Sequence, residues 1–241
     1  MHRPITLLLG ILLTLPALAA VEVGDTRFSV DRGFYSSSQS VAITCSTADA
    51  AIRYTRDGTL PSATHGMLYE GPVSISTTTV LRAIAYDPAG VMTPSNIDTH
   101  TYLFVDDVYD QGDPAGYPVE TRGEKRGTMR YDYRMDSDGG SRSQVVAGLL
   151  ALPSLSLSAP PEFIFDSGSG RWPKGGPIID NETTVSVEML YPDETTANWA
   201  SSAGIEHHSR WHNPKESVRM NFRDLHGDGL INFAVEQDQI D

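Results

Sequence analysis

Between Phe28 and Val105 the sequence is cut into short segments in which apolar and polar residues alternate with a period of two. A β-strand sends successive side chains to opposite faces, so each segment can cover a core on one side and meet water on the other. In Ser40 to Ser46 the apolar set is Val41, Ile43 and Cys45; in Ala51 to Thr55 it is Ile52 and Tyr54; in Gly71 to Ser76 it is Val73 and Ile75. Thr78 to Tyr86 places Leu81, Ala83 and Ala85 on one side and Val80, Arg82, Ile84 and Tyr86 on the other, and a last strand is expected over Thr99 to Val105. Turn chemistry separates them: Asp57-Gly58 is expected to close a hairpin, Gly71-Pro72 to open a strand, and Asp87-Pro88-Ala89-Gly90 to reverse the chain. Strands this short and this regularly spaced, with no helical stretch among them, predict a small antiparallel sandwich.

Charge and cysteine use narrow the function classes. The 241 residues carry 18 Lys and Arg against 31 Asp and Glu, a formal charge of −13, which would repel the phosphates of a duplex and excludes general nucleic-acid binding. The single cysteine, Cys45, can form no internal disulfide and no cysteine-rich zinc site, and it is expected as an inert, buried thiol. Residues 1–20 have the layout of an export signal: a cationic start at His2 and Arg3, an apolar run from Ile5 to Leu15, then Pro16 and the small-residue site Ala17-Leu18-Ala19-Ala20. Cleavage is expected after Ala19 or Ala20. The run is shorter than the roughly 20 residues a spanning helix needs, so the mature chain is expected to have no transmembrane helix and to be secreted or held at the cell surface.

The stretch Ala51-Ile-Arg-Tyr-Thr-Arg-Asp-Gly58, then Pro61, Tyr69-Glu-Gly-Pro72, Ser76-Thr-Thr-Thr-Val-Leu-Arg-Ala83 and Thr101-Tyr102, resembles the chitobiase/β-hexosaminidase C-terminal-type domain. The resemblance implies an immunoglobulin- or fibronectin III-like sandwich over residues 25–105, an accessory unit without a recurring catalytic set. Sugar sites stack pyranose rings on exposed aromatics, yet Trp172, Trp199 and Trp211 all lie outside this segment. Tyr54 and Tyr69 remain, at positions that read as core or turn packing, so a spacer or scaffold is the expectation rather than a sugar binder.

Residues 106–140 read as a linker, because Asp106-Asp107, Asp110, Gly112-Asp113-Pro114 and Gly116-Tyr117-Pro118 favour turns over helix or sheet. Asp136-Ser-Asp138-Gly139-Gly140 looks like the start of a calcium loop, but the closing position falls on Ala147, which cannot coordinate. In residues 141–241, Ser143 to Leu152 predicts a short helix ended by Pro153, Leu155 to Leu157 an extended piece, and Val185 to Tyr191 a strand stopped by Pro192-Asp193. A further strand, Ser217 to Arg223, sets Val218, Met220 and Phe222 against Arg219, Asn221 and Arg223. His207, His208, Arg210, His212, Lys215, Arg219 and Arg223 gather basic character in an otherwise acidic chain, the pattern an anion or phosphate site needs.

Tyr133-Arg-Met135 before Asp136, Ala151-Leu-Pro-Ser-Leu-Ser156, Val185 to Asp193, Ala203-Gly204-Ile205, Ser209-Arg210, Asn213-Pro-Lys215-Glu-Ser217, Phe222-Arg223 and Gly227 resemble the N-terminal part of the CotH kinase-like family. That resemblance implies an incomplete α+β portion of an atypical secreted kinase using ATP and Mg, with Lys215, Arg210, Ser209 and Ser217 as nucleotide- or phosphate-binding candidates, to which the basic cluster adds Arg219. Two departures stand beside it. The loop Glu206-His-His-Ser-Arg-Trp211 replaces a glycine pair with side chains, and the family's catalytic and metal-binding aspartates lie downstream of the matched stretch, whereas the sequence ends at Asp241.

A last motif, Asp224-Leu-His226-Gly-Asp228-Gly229-Leu-Ile231-Asn232, fits part of a calcium loop through Asp224, Asp228 and Asn232, but Val235 occupies the closing position. His207, His208 and His212 lack a carboxylate spaced to complete a transition-metal site. The expectation is a mainly β chain that is an exported, non-catalytic surface or assembly module with no cofactor of its own. Its partner would be an extracellular or cell-surface protein or a polysaccharide. The alternative is a fragment of a secreted CotH-type protein kinase, which would use ATP and Mg once complete.

Overall fold

The computed structural model describes residues 21–113, 120–123, 127–130, 141–159, 183–193, 195–207 and 218–223. The first part carries β1 (Thr26–Phe28), β2 (Gly33–Phe34), β3 (Gln39–Val41), β4 (Ile43–Cys45), β5 (Ala51–Thr55), β6 (Met67–Leu68), β7 (Val73–Ile75), β8 (Thr79–Tyr86) and β9 (Asp98–Leu103). There follow α1 (Val105–Asp110), the hairpin of β10 (Glu120–Gly123) and β11 (Gly127–Arg130), and α2 (Arg142–Leu150). The last elements are β12 (Ser154–Ser158), β13 (Thr183–Leu190), β14 (Trp199–His207) and β15 (Val218–Asn221). The protein is mainly β, as the period-two patterning requires.

One core joins the first nine strands. A five-stranded sheet in the order β2-β9-β8-β5-β6 faces the pairs β1-β4 and β3-β7. Between them lie Val41, Ile43, Ile52, Val73, Ile75, Leu81, Ala83, Ala85 and Tyr102, the inward set that the alternation marks. Burial of side chains of this size stabilises by about 1.5–3 kcal/mol each relative to exposure. Pairing is antiparallel except for β2, which lies parallel to the end of β9 through Gly33↔Tyr102 and Phe34↔Leu103. Cys45 is only half-buried; its thiol donates to Gly24 O at 3.0 Å, so a polar partner holds it at the rim of the core.

Asp57-Gly58 does not close a tight hairpin. β5 and β6 do pair, but across a loop of residues 56–66 that bends at two glycines in the left-handed region, Gly58 at φ +80° and Gly66 at φ +99°. Arg53 pins the loop from the strand by donating from Nε to Ala63 O at 3.0 Å and from Nη1 to Gly66 O at 2.7 Å. A Cβ on Gly66 would stand 2.8 Å from the backbone oxygen of Tyr54, whereas one on Gly90, at φ +70°, would meet nothing within 4 Å. Gly66→Ala therefore adds a backbone clash to the conformational strain both share, and is expected to cost about 3 kcal/mol against about 1 for Gly90→Ala. Urea denaturation of the two variants checks the order; equal losses would refute it. The other turn behaves as its sequence suggests: Gly90 donates to Asp87 O at 2.9 Å, and the Asp87 carboxylate accepts from the amides of Ala89, Val91 and Met92.

Part of the stretch read as a linker is regular structure. Val105 opens α1 rather than ending the last strand, and Asp106 and Asp107 sit in its first turn, where acidic side chains favour the positive end of the helix dipole. Asp107 also accepts from the Thr78 amide at 2.7 Å, tying α1 to the start of β8. The charges outweigh the turn signals because the prolines and glycines begin only at Gly112, after the helix has closed. α2 starts where the sequence places a helix, with Ser141 and Gln144 forming a reciprocal capping box. Its Arg142 reaches α1, bonding Asp106 at 3.1 Å and the Asp110 carboxylate, with the guanidinium 4.8 Å from the centre of the Tyr109 ring.

The second sheet runs β12-β13-β14-β15, antiparallel throughout. Val185, Val187, Ala203 and Ile205 are buried on one face, joined by Ala159, Leu157, Trp199 and Phe222. Pro192-Asp193 does stop β13: the Asp193 carboxylate accepts from Thr195 and Thr196, and these bonds, the Thr195 hydroxyl first, hold its pKa down to about 2. Among the described residues no helix is long and apolar enough to cross a membrane.

Candidate functional site

Of the sequence-predicted phosphate candidates only Arg219 lies among the described residues. Ser209, Arg210, Lys215 and Ser217 lie outside those residues, as do the calcium-loop candidates Asp224, Asp228 and Asn232 and the Asp136 motif. His208 and His212 lie outside them too, and no group of three or more His, Cys, Asp or Glu side chains among the described residues could hold a metal ion. Arg219 is on β15, exposed, opposite Glu206 of β14 in register. Met220 and Phe222 alternate with it as expected, Phe222 packing on the second core.

The tyrosines of the sandwich serve packing. Tyr69 turns its hydroxyl to the Ile43 amide, which donates at 3.0 Å, and its ring meets Tyr54 edge-on at 6.4 Å between centroids. Both pack against the core from partly buried positions. Neither ring therefore offers an open stacking platform.

What the fold does assemble is a polar junction between the two sheets. On β8 and β9 the side chains opposite the sandwich core are Arg82, Thr99 and Thr101, paired in register as Arg82↔Thr99 and Val80↔Thr101. On β12 and β13 the side opposite Val185 and Val187 carries Ser156↔Glu188 and Ser158↔Ser186. These two faces meet. Thr99 Oγ1 lies 3.0 Å from Ser186 Oγ, Thr101 Oγ1 lies 2.8 Å from Ser156 Oγ, and Arg82 donates from Nη2 to Ser186 Oγ at 3.2 Å. Arg82 is 5% exposed, and its Nη1 donates to Gly58 O at 2.9 Å, so the glycine loop also braces the junction.

Glu188 stands at the centre with no exposed surface. Its Oε1 accepts from the Thr101 amide at 3.1 Å and its Oε2 from Thr101 Oγ1 at 2.5 Å. The carboxylate thus serves β9 as a substitute strand, receiving a backbone donor that would otherwise be buried without an acceptor. Arg32, just before β2, places Nη1 3.1 Å from Oε1 as an ion pair, although no N–H is aligned for a hydrogen bond. Arg32 also gives its carbonyl to Asn198, which donates at 2.8 Å, while Asn198 Oδ1 accepts from the Tyr191 amide at 2.7 Å. Burial pushes the Glu188 carboxyl above the usual glutamate range, and Thr101, Arg32 and Arg82 pull against it without reversing the direction.

Sequence reasoning missed this cluster, although one signal was present. Glu188 is the charged residue inside the Val185 to Leu190 run, on the opposite side of the strand from the valines. A lone charge at that position reads as a solvated face unless another element covers it.

No curated protein matches the chain. Residues 30–98 match the family model of the Chitobiase/beta-hexosaminidase C-terminal domain, so this part of the chain is similar to a carbohydrate-associated β-sandwich accessory module.

Proposed function

We propose that the protein is an exported, non-catalytic module that works by display and contact, its accessory sandwich built onto a second sheet that holds it in a fixed orientation. The observation that carries this reading is the polar junction: the outer face of β8 and β9 is occupied by the chain's own β12 and β13 through Glu188, Arg32 and Arg82. A face closed in this way supports a scaffold rather than a mobile sugar-binding unit, and a buried ion pair flanked by the Thr101–Ser156 and Thr99–Ser186 contacts favours one docking geometry over many. The export-signal layout of residues 1–20 supports a module that works outside the cytoplasm, facing extracellular protein or polysaccharide.

A thermal-shift titration tests the non-catalytic assignment, because a ligand bound only by the folded state raises the melting temperature. The expected result is no shift with millimolar ATP and magnesium. A rise of several degrees would instead favour the CotH-type kinase reading, with Lys215 and Arg210 as the phosphate ligands. Export is checked separately by the mass of the mature chain recovered from a secreting host, expected to begin at Ala20 or Val21.

A further inference from the structure

A fully buried carboxylate between two sheets must be satisfied whichever protonation state it adopts, and the groups around Glu188 allow both. When it is ionised, the Thr101 hydroxyl donates to Oε2 and accepts from Ser156 Oγ. When it carries a proton, the same short contact reverses: Glu188 donates to Thr101 Oγ1, which donates onward to Ser156 Oγ. The Thr101 amide donates to Oε1 in either case. Hydrogen bonding is therefore conserved, and the two states differ in the charge left at the interface. Of the two nearby guanidinium groups, Arg82 already donates to Gly58 O and Ser186 Oγ. The side chain of Arg32 is 18% exposed and lies close without an aligned bond. A buried junction lined by hydroxyls accommodates the neutral acid more readily than the anion.

We propose that Glu188, Thr101 and Ser156 form a proton-operated latch between the sandwich and the second sheet, closed more firmly when Glu188 carries a proton. The raised position of the Glu188 carboxyl gives the sign. The folded chain holds this proton more tightly than the unfolded chain, so the contribution to stability is full below the ordinary glutamate range. It declines as pH rises through the folded value. The charged groups acting on Glu188 are Arg32, from the turn before β2, and Arg82 from β8, while Tyr102, on the other face of β9, feels its charge through the strand; β12 and β14 present Ser156 and Ala200 across the register. Two other groups on β9 titrate in acid with opposite signs. His100, lowered to about 4 by burial and then by Arg32, loses stability as pH falls, whereas Asp98, raised by burial, gains it. A whole-protein pH profile mixes these contributions with those of the lowered Asp57, Asp87 and Asp193 carboxyls, so the test must be local.

Hydrogen exchange of the intact chain supplies that locality. The Thr101 amide, bonded to Glu188, is compared with the Ala85 amide, bonded to Ser95 Oγ within the sandwich. After correction for intrinsic exchange, Thr101 protection is expected to rise several-fold from about pH 7.5 to about pH 5, while Ala85 does not follow. In Glu188→Gln, whose amide can accept from the Thr101 N–H and donate to its hydroxyl, Thr101 protection is expected to stay level with pH. A wild-type Thr101 protection that is flat, falls in acid, or moves together with Ala85 would overturn the latch, as would an equal rise in Glu188→Gln. Should Glu188→Gln fail to fold, the wild-type comparison of the two amides decides alone.

Discussion

Arg32→Ala is expected to lower the unfolding free energy by about 3 kcal/mol at neutral pH, the usual loss when one partner of a buried ion pair is removed. The substitution strands Glu188, which has no exposed surface and no other cation at contact distance among the described residues. The reciprocal change, Glu188→Ala, is expected to cost less, about 2 kcal/mol, chiefly for the orphaned Thr101 amide. It also removes the group whose burial was unfavourable, and Arg32, already partly exposed, can turn to water. The two losses should also respond differently to acid. In Arg32→Ala the stranded carboxyl can take up a proton, so its deficit should shrink as pH falls towards about 5, whereas the Glu188→Ala deficit should not. Urea denaturation of both variants at neutral and acidic pH checks the order and the sign; a larger loss for Glu188→Ala would show that hydrogen bonding, not charge, dominates the junction.

Tyr102→Ala is expected to cost about 4 kcal/mol, within the range for deleting a buried aromatic ring. Tyr102 has no exposed surface, its ring packs 5.6 Å from Tyr35 between centroids, and its hydroxyl donates to Val30 O at 2.8 Å. Tyr102→Phe keeps the ring and loses only the hydroxyl bond, so about 1 kcal/mol is expected. The gap between the two variants measures packing against hydrogen bonding at one site. Since Thr101 and Tyr102 are neighbours on opposite faces of β9, loosening the strand at Tyr102 should also weaken the junction. Thr101 exchange in Tyr102→Ala reports that coupling, and unchanged Thr101 protection would separate the two faces.

The sandwich was legible because its strands obey a local rule. Val41, Ile43, Ile52, Val73, Ile75, Leu81, Ala83 and Ala85 fall on the inward side that the alternation assigns, and all are buried. The helix α2 was visible through the apolar density of Ser143 to Leu152, although its start at Arg142 and its Ser141–Gln144 capping box were not read from the sequence. α1 was not, because a helix of six residues is decided by its neighbours, here Thr78 and Arg142. The loop after β5 misled for a related reason: Asp57-Gly58 has the composition of a tight turn, but Arg53 and Gly66 hold a longer excursion together.

The phosphate reading followed clustered basic residues along the chain, whereas the junction depends on residues far apart in it. Arg32, Arg82, Thr101 and Glu188 come from β8, β9, β13 and the turn before β2, and no spacing in the sequence links them. By itself the sequence determined which side of each strand would be apolar, because side-chain alternation is fixed by the backbone within a few residues. The tertiary structure alone decided that the opposite sides of β8, β9, β12 and β13 would face each other rather than water. The reason is physical: a serine, a threonine or a glutamate is equally compatible with solvent and with a matched polar partner. Only the arrival of that partner, over a hundred residues away in the case of Arg82 and Ser186, tells the two apart.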